Sequence, residues 1–228
     1  FKEAKKSYDA PVFIVNQQEA EANEKSVPTG TKTWHFTAKN VRDFAFASSR
    51  KFIVDMMNVD VNGNDIMAVS VYPKEGNPLW EQWSTKTVAS ALKSYSRMTF
   101  DYPYHKAVSV HADDVGMEYP MICFNFGRPD ETGYYSDRTK FSMIGVVADA
   151  AAAAAGGSDG GGDATLVGGP GSLDEAITVA CPEAVTLPGS MDDPAGSRLS
   201  DAEEVEAEVD CGGGPIDEEV VVAHDEVL

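Results

Sequence analysis

The chain has four histidines, His35, His105, His111 and His224, and no two of them lie four residues apart. Histidines at that spacing share one helical face and converge on one ion, so a helical His-x-x-x-His metal motif is excluded. The three cysteines, Cys123, Cys181 and Cys211, have no Cys-x-x-Cys spacing and make no disulfide framework. No run of 18 apolar residues exists, so no segment reads as a transmembrane helix. Aromatic residues run out early: the 10 Phe, 8 Tyr and 3 Trp all lie at or before Phe141. Basic residues run out as well, because Arg198 is the only one after residue 147, against 19 acidic residues.

What is present therefore divides the chain. Residues 1–147 hold 17 Lys and Arg against 18 Asp and Glu, so the net charge of −19 belongs almost wholly to the remainder. It carries no information about partners of the front part, and no nucleic-acid partner is expected. Residues 148–228 also hold 13 of the 20 glycines. Without aromatics and with few large aliphatics, such a segment buries too little apolar surface to offset chain entropy. The expectation is a disordered acidic tail, with weak helix at most over 201–209. The front part is long enough for one modest core. The chain opens on Phe1 rather than Met, and a piece of a longer protein is expected.

Hydrophobic periodicity in the front part predicts strands at 11–15, 31–38, 41–47, 51–58 and 65–73, with a turn at Asn62-Gly63-Asn64 between the last two. A short helix is expected over 18–25. The strongest helix is expected over 78–100, with Val88, Leu92, Tyr95 and Met98 on its apolar stripe, and Pro103 beyond its end. Strands follow at 106–111 and 121–125, and a second long helix at 138–147. The order predicts an α+β fold, a mixed sheet with a helix packed on it. Cys123 lies in an apolar run and reads as a buried thiol. His105 and His111 flank a strand and read as ordinary, partly exposed residues.

Gly116-Met117-Glu118-Tyr119-Pro120 carries the functional signal. Taken alone it is a surface turn beside a strand. A carboxylate in such a turn also suits a charge-assisted bond to a substrate ammonium group, with Gly116 letting a substrate backbone approach. The surrounding text adds weight. Residues 34–49, which begin Trp34-His35-Phe36-Thr37-Ala38-Lys39, are followed by Tyr102-Pro103-Tyr104, Val108-Ser109-Val110, the 116–122 segment and Phe141–Val147. This series resembles bacterial membrane alanyl aminopeptidase-like proteins, gluzincin zinc metallopeptidases with a thermolysin-like catalytic domain. The resemblance covers nearly all of 1–147. It implies the end of a β-domain over 1–43 and the first part of the catalytic domain over 44–147. It further implies that Glu118 binds the free amino terminus of a peptide and that Gly116 and Met117 line the substrate edge. Tyr119 stands where the family usually has Asn.

In that family the chemistry needs zinc, held by His-Glu-x-x-His on a helix and a further Glu, and a zinc-bound water attacks the scissile carbonyl. Here Thr139–Val147 resembles the approach to that helix, but Ala148-Asp149-Ala150 and an Ala/Gly run follow. The expectation is a fragment with no catalytic residue, no metal ligand and no bound zinc, inactive by itself. A change of reading frame or a joined unrelated sequence after Val147 accounts for such a switch. Two other readings stay open: a non-catalytic module binding peptides with free amino termini, and an acidic interaction protein acting through its tail. Truncation before the zinc helix would leave the inner faces at Phe44, Phe46, Val108, Val110 and Ile122 without neighbours, and self-association through them is expected.

Overall fold

The computed structural model describes residues 1–26, 32–39, 45–112, 116–156, 204–211 and 220–223, with side chains over 1–26, 45–112 and 116–149. The chain begins with a single 3-10 turn and strand β1 (Val12–Val15). Helix α1 (Gln17–Lys25) follows, started by a capping box in which the Asn16 side chain accepts from the Glu19 amide and the Glu19 carboxylate accepts from the Asn16 amide. Next come β2 (Lys32–Lys39), β3 (Phe46–Ser49), β4 (Ile53–Val61) and β5 (Asn64–Tyr72). Helix α2 (Leu79–Met98) leads to β6 (Lys106–His111), β7 (Met117–Tyr119) and β8 (Ile122–Asn125). Helix α3 (Asp137–Gly156) and strands β9 (Glu204–Cys211) and β10 (Val220–Ala223) complete the described elements.

The fold is mixed α+β. Six strands form one sheet in the order β1-β4-β5-β6-β8-β7. Neighbours β5, β6 and β8 run parallel and the outer pairings are antiparallel. The β4–β5 hairpin turns on Asn62 and Gly63, with φ of 53° and 89°. Positive φ at both positions gives the twist a two-residue hairpin needs, which explains why the Asn-Gly pair marks it. Asp60 Oδ1 accepts the Gly63 amide and closes the turn. Helix α2 then crosses from β5 to its parallel neighbour β6, as parallel pairing demands.

The central strands β4, β5, β6 and β8 are buried on both faces along most of their length. On one face Val54, Met56, Val69, Val71, Val108, Val110, Ile122 and Phe124 form a core covered by Ala4, Ala45, Ala47 and Phe52. On the other, Ile53, Ala68, Tyr72 and Ala107 pack beneath Trp80, Val88 and Leu92 of α2 and Met143 and Val147 of α3. The buried stripe of α2 runs through Trp80, Ser84, Val88, Leu92 and Ser96, while Met98 is 64% exposed. The expected stripe through Tyr95 and Met98 is thus corrected by a small rotation of the helix. It follows the sheet's polar groups as well as its apolar ones.

Four further differences stand out. Phe46, Val108, Val110 and Ile122 are at most 2% exposed, because the N-terminal turn and the 45–52 segment cover them. They offer no self-association surface, and Phe44 lies outside the described residues. Helix α3 does not stop at 147 but runs through the alanines to Gly156. Alanine is the best helix former, and the following glycine pair ends the run. In the stretch expected to be a tail, β9 pairs antiparallel with β2 and β10 with β3. Residues 204–210 alternate acidic and apolar, a period of two that favours strand over the expected weak helix. In the register Val209, Ala207 and Val205 stand opposite Trp34, Phe36 and Ala38, and Glu208 and Glu204 opposite His35 and Lys39. The expected boundary at 43/44, the strand start at 41–44 and residues 157–203, 212–219 and 224–228 lie outside the described residues.

Candidate functional site

The segment singled out by sequence lies at one edge of the six-stranded sheet. Strand β7 is the last in the order, antiparallel to β8, and the two join at Pro120-Met121. Proline pre-sets the first turn position and Met121 takes φ 64°, the second-position geometry of a type II turn. Alternation along β7 sends Met117 and Tyr119 to the apolar core, where the Tyr119 ring meets Phe124 edge to face at 6.1 Å. Tyr119 is therefore a core residue and lines no cleft. Glu118 falls on the helix-bearing face and is exposed. Gly116 is exposed too, and a Cβ there would meet Phe126 and Val146 only at 4.0 Å. Among the described residues no neighbour requires glycine at that position. Helix α3 packs alongside β7 and β8.

Glu118 ends a polar row that crosses the sheet. Register places Asp55 beside Ser70, Ser70 beside Ser109, Ser109 beside Cys123, and Cys123 beside Glu118. Asp55 is 1% exposed. Its Oδ2 accepts the Tyr72 hydroxyl at 2.6 Å and its Oδ1 accepts the Thr85 hydroxyl of α2. Burial outweighs these bonds and raises its pKa to about 6. Ser70 donates to Ser84 of α2 at 2.7 Å, and Asn125 donates to Ser109 at 2.8 Å. The Cys123 thiol is pushed up to about 12, chiefly by burial and further by Glu118 across the β7–β8 pair. It is protonated and unreactive, in keeping with a buried thiol.

His111 corrects one expectation. It is buried, not partly exposed, because the Trp80 ring packs against it at 5.0 Å and Arg128 Nε donates to its Nε2 at 3.1 Å. Burial, and then the guanidinium, lower its pKa to about 3. His111 is neutral at ordinary pH, with Nε2 occupied by the arginine. His105 is exposed at the opposite end of β6, and six extended residues separate the two by about 20 Å. They cannot share an ion.

Among the described residues no three His, Cys, Asp or Glu side chains gather around one point. Helix α3 carries Ala, Asp and Gly after Val147 and no histidine. The residues present do not fit a zinc ion, and no step through one is derived for this chain. Among the described residues no helix is long and apolar enough to cross a membrane.

Of Gly116, Met117 and Glu118, the last two lie on one short strand, on opposite faces of the sheet, and Gly116 immediately precedes it. Sequence reasoning missed Asp55, Ser70, Ser109 and Asn125. For the two serines the signal was a lone polar residue between valines, Val69-Ser70-Val71 and Val108-Ser109-Val110. Comparison with protein-family models finds no match, and comparison with curated proteins finds none either.

Proposed function

We propose that residues 44–147 are the amine-recognition half of a thermolysin-like aminopeptidase catalytic domain, and that this chain binds peptides with free amino termini without cleaving them. The observation that carries the reading is Glu118, exposed on the edge strand β7 with α3 packed beside it. An edge strand offers unpaired backbone donors and acceptors to an extended peptide, which adds to the sheet as one more strand. A peptide lying along β7 brings its ammonium group to the Glu118 carboxylate. The charge-assisted bond then selects free over blocked termini. Gly116, which no neighbour among the described residues requires, leaves room for the peptide backbone.

Hydrolysis needs a nucleophile and a base, and among the described residues none is brought to β7. The absence of clustered ligand side chains among the described residues favours binding without turnover. The test has two parts. Incubation with zinc and aminoacyl-anilides should give no turnover, whereas a version in which a His-Glu-x-x-His helix follows Val147 should release amine. The nucleotide sequence across codons 145–155, read in all three frames, should encode that run in another frame. Turnover by the present chain would refute the reading, and so would the lack of the run in every frame together with an inactive restored version.

A further inference from the structure

Beside the polar row, next to Ser109, one buried acceptor has no hydrogen-bond partner among the described residues. Asn125, at the end of β8, is 1% exposed. Its Nδ2 donates to Ser109 Oγ, while its Oδ1 is buried with no partner. Ser109 Oγ accepts that bond and a longer one, 3.5 Å, from Ser84, which itself accepts from Ser70. With both lone pairs engaged, the Ser109 hydroxyl proton is left to point elsewhere. Turning the Asn125 amide over would give that proton an acceptor but would bury an NH2 group with two unused donors.

Ser109 and Asn125 also line a small cavity between the sheet and the two long helices. Its volume is about 10 Å³, and Val88, Tyr102, Cys123 and Val147 complete the wall around them. A water site needs roughly 10–15 Å³ and two to four polar partners. Here the partners are a hydroxyl that must donate and an amide oxygen that must accept, both in the wall of one water-sized space.

We propose that this cavity is a structural water site. One water accepts the Ser109 hydroxyl proton and donates to Asn125 Oδ1. The chain of bonds from Ser70 through Ser84 and Ser109 reaches Asn125 at the end of β8, and the water adds a second link between Ser109 and Asn125. It ties α2 to the two strands that carry β7, so the water helps to hold the edge on which Glu118 sits. The proposal is independent of what that edge binds.

Oxygen-17 magnetic relaxation dispersion on the full chain tests it, because that signal counts long-lived waters and ignores exchanging hydroxyl protons. Asn125→Leu removes the acceptor and fills the space, and should lower the count by one against the parent protein. An equal count in a folded Asn125→Leu protein overturns the proposal. A high-resolution crystal structure of the parent protein decides the matter if that variant does not fold. Density for one water within hydrogen-bond distance of Ser109 Oγ and Asn125 Oδ1 is expected, and a dry cavity overturns the assignment.

Discussion

The two faces of the six-stranded sheet solve the same burial problem differently. On the face covered by the N-terminal turn, adjacent rows read Met56-Val69-Val108-Ile122-Tyr119 and Val54-Val71-Val110-Phe124-Met117. Both are apolar from end to end. On the helix-bearing face the row between them reads Asp55-Ser70-Ser109-Cys123-Glu118. An apolar face holds by area and volume and accepts many packings. A buried polar row is costly unless each group finds its partner, so it admits one placement of α2, with Thr85 over Asp55 and Ser84 over Ser70. The contrast places directional bonding on the face that ends at Glu118.

The largest effect should come from breaking the apolar face. Phe124→Ala empties a side chain that is 1% exposed and should cost about 3–5 kcal/mol in urea unfolding. A loss under 1 kcal/mol would mean that this face is loosely packed.

The second test is pH. The folded-state pKa of Asp55, about 6, lies above its ordinary value of 3.8. The folded protein therefore holds this proton more tightly than the unfolded chain. The associated stability is fully present below about pH 4, falls by roughly 3 kcal/mol as pH rises to about 6, and stays lost above that. Asp55→Asn lacks this dependence, so the stability difference between variant and parent should shift in the variant's favour from pH 4 to pH 7. A difference constant over that range would remove Asp55 as a buried titrating group.

A smaller change is expected from Tyr72→Phe, which deletes one donor to the carboxylate. It should destabilise by about 1.5–3 kcal/mol at pH 7, where the carboxylate is charged, and by less at pH 4. Equal losses at both values would argue that Tyr72 acts by packing alone. The smallest effect on stability belongs to Glu118→Ala. The residue is exposed at the sheet edge, and its loss should alter unfolding by no more than about 0.5 kcal/mol.

The contrast between faces also explains what the sequence could tell. Elements with a local cause were legible: the Asn62-Gly63 hairpin, the helix capped at Asn16, and the apolar strands. The turn expected at Glu118 is corrected: Glu118 lies in strand β7, and the turn follows at Pro120-Met121. The polar row was not legible, because Asp55, Ser70 and Ser109 come from three strands and meet only through register, and Asn125 reaches Ser109 by a side-chain bond from a fourth. His111 read as ordinary because its burial depends on Trp80 and Arg128, 31 residues before it and 17 after it. The end of α3 was misjudged because loss of amphipathic pattern after Val147 was weighed above alanine's propensity. The 204–211 strand was missed because its partner β2 lies more than 160 residues away.

The proposed recognition of a free amino terminus by Glu118 on β7 decides between the readings. It is tested most directly in a version where the zinc helix follows Val147, by comparing kcat/KM for a free and an N-acetylated peptide with and without Glu118→Ala. Loss of one member of a desolvated charge pair should cost roughly 2–4 kcal/mol, or about 30- to 1,000-fold in kcat/KM for the free peptide. The acetylated peptide should change little, so the preference for free termini collapses while the melting temperature holds. An unchanged ratio between the two peptides would contradict the account and remove Glu118 from the site.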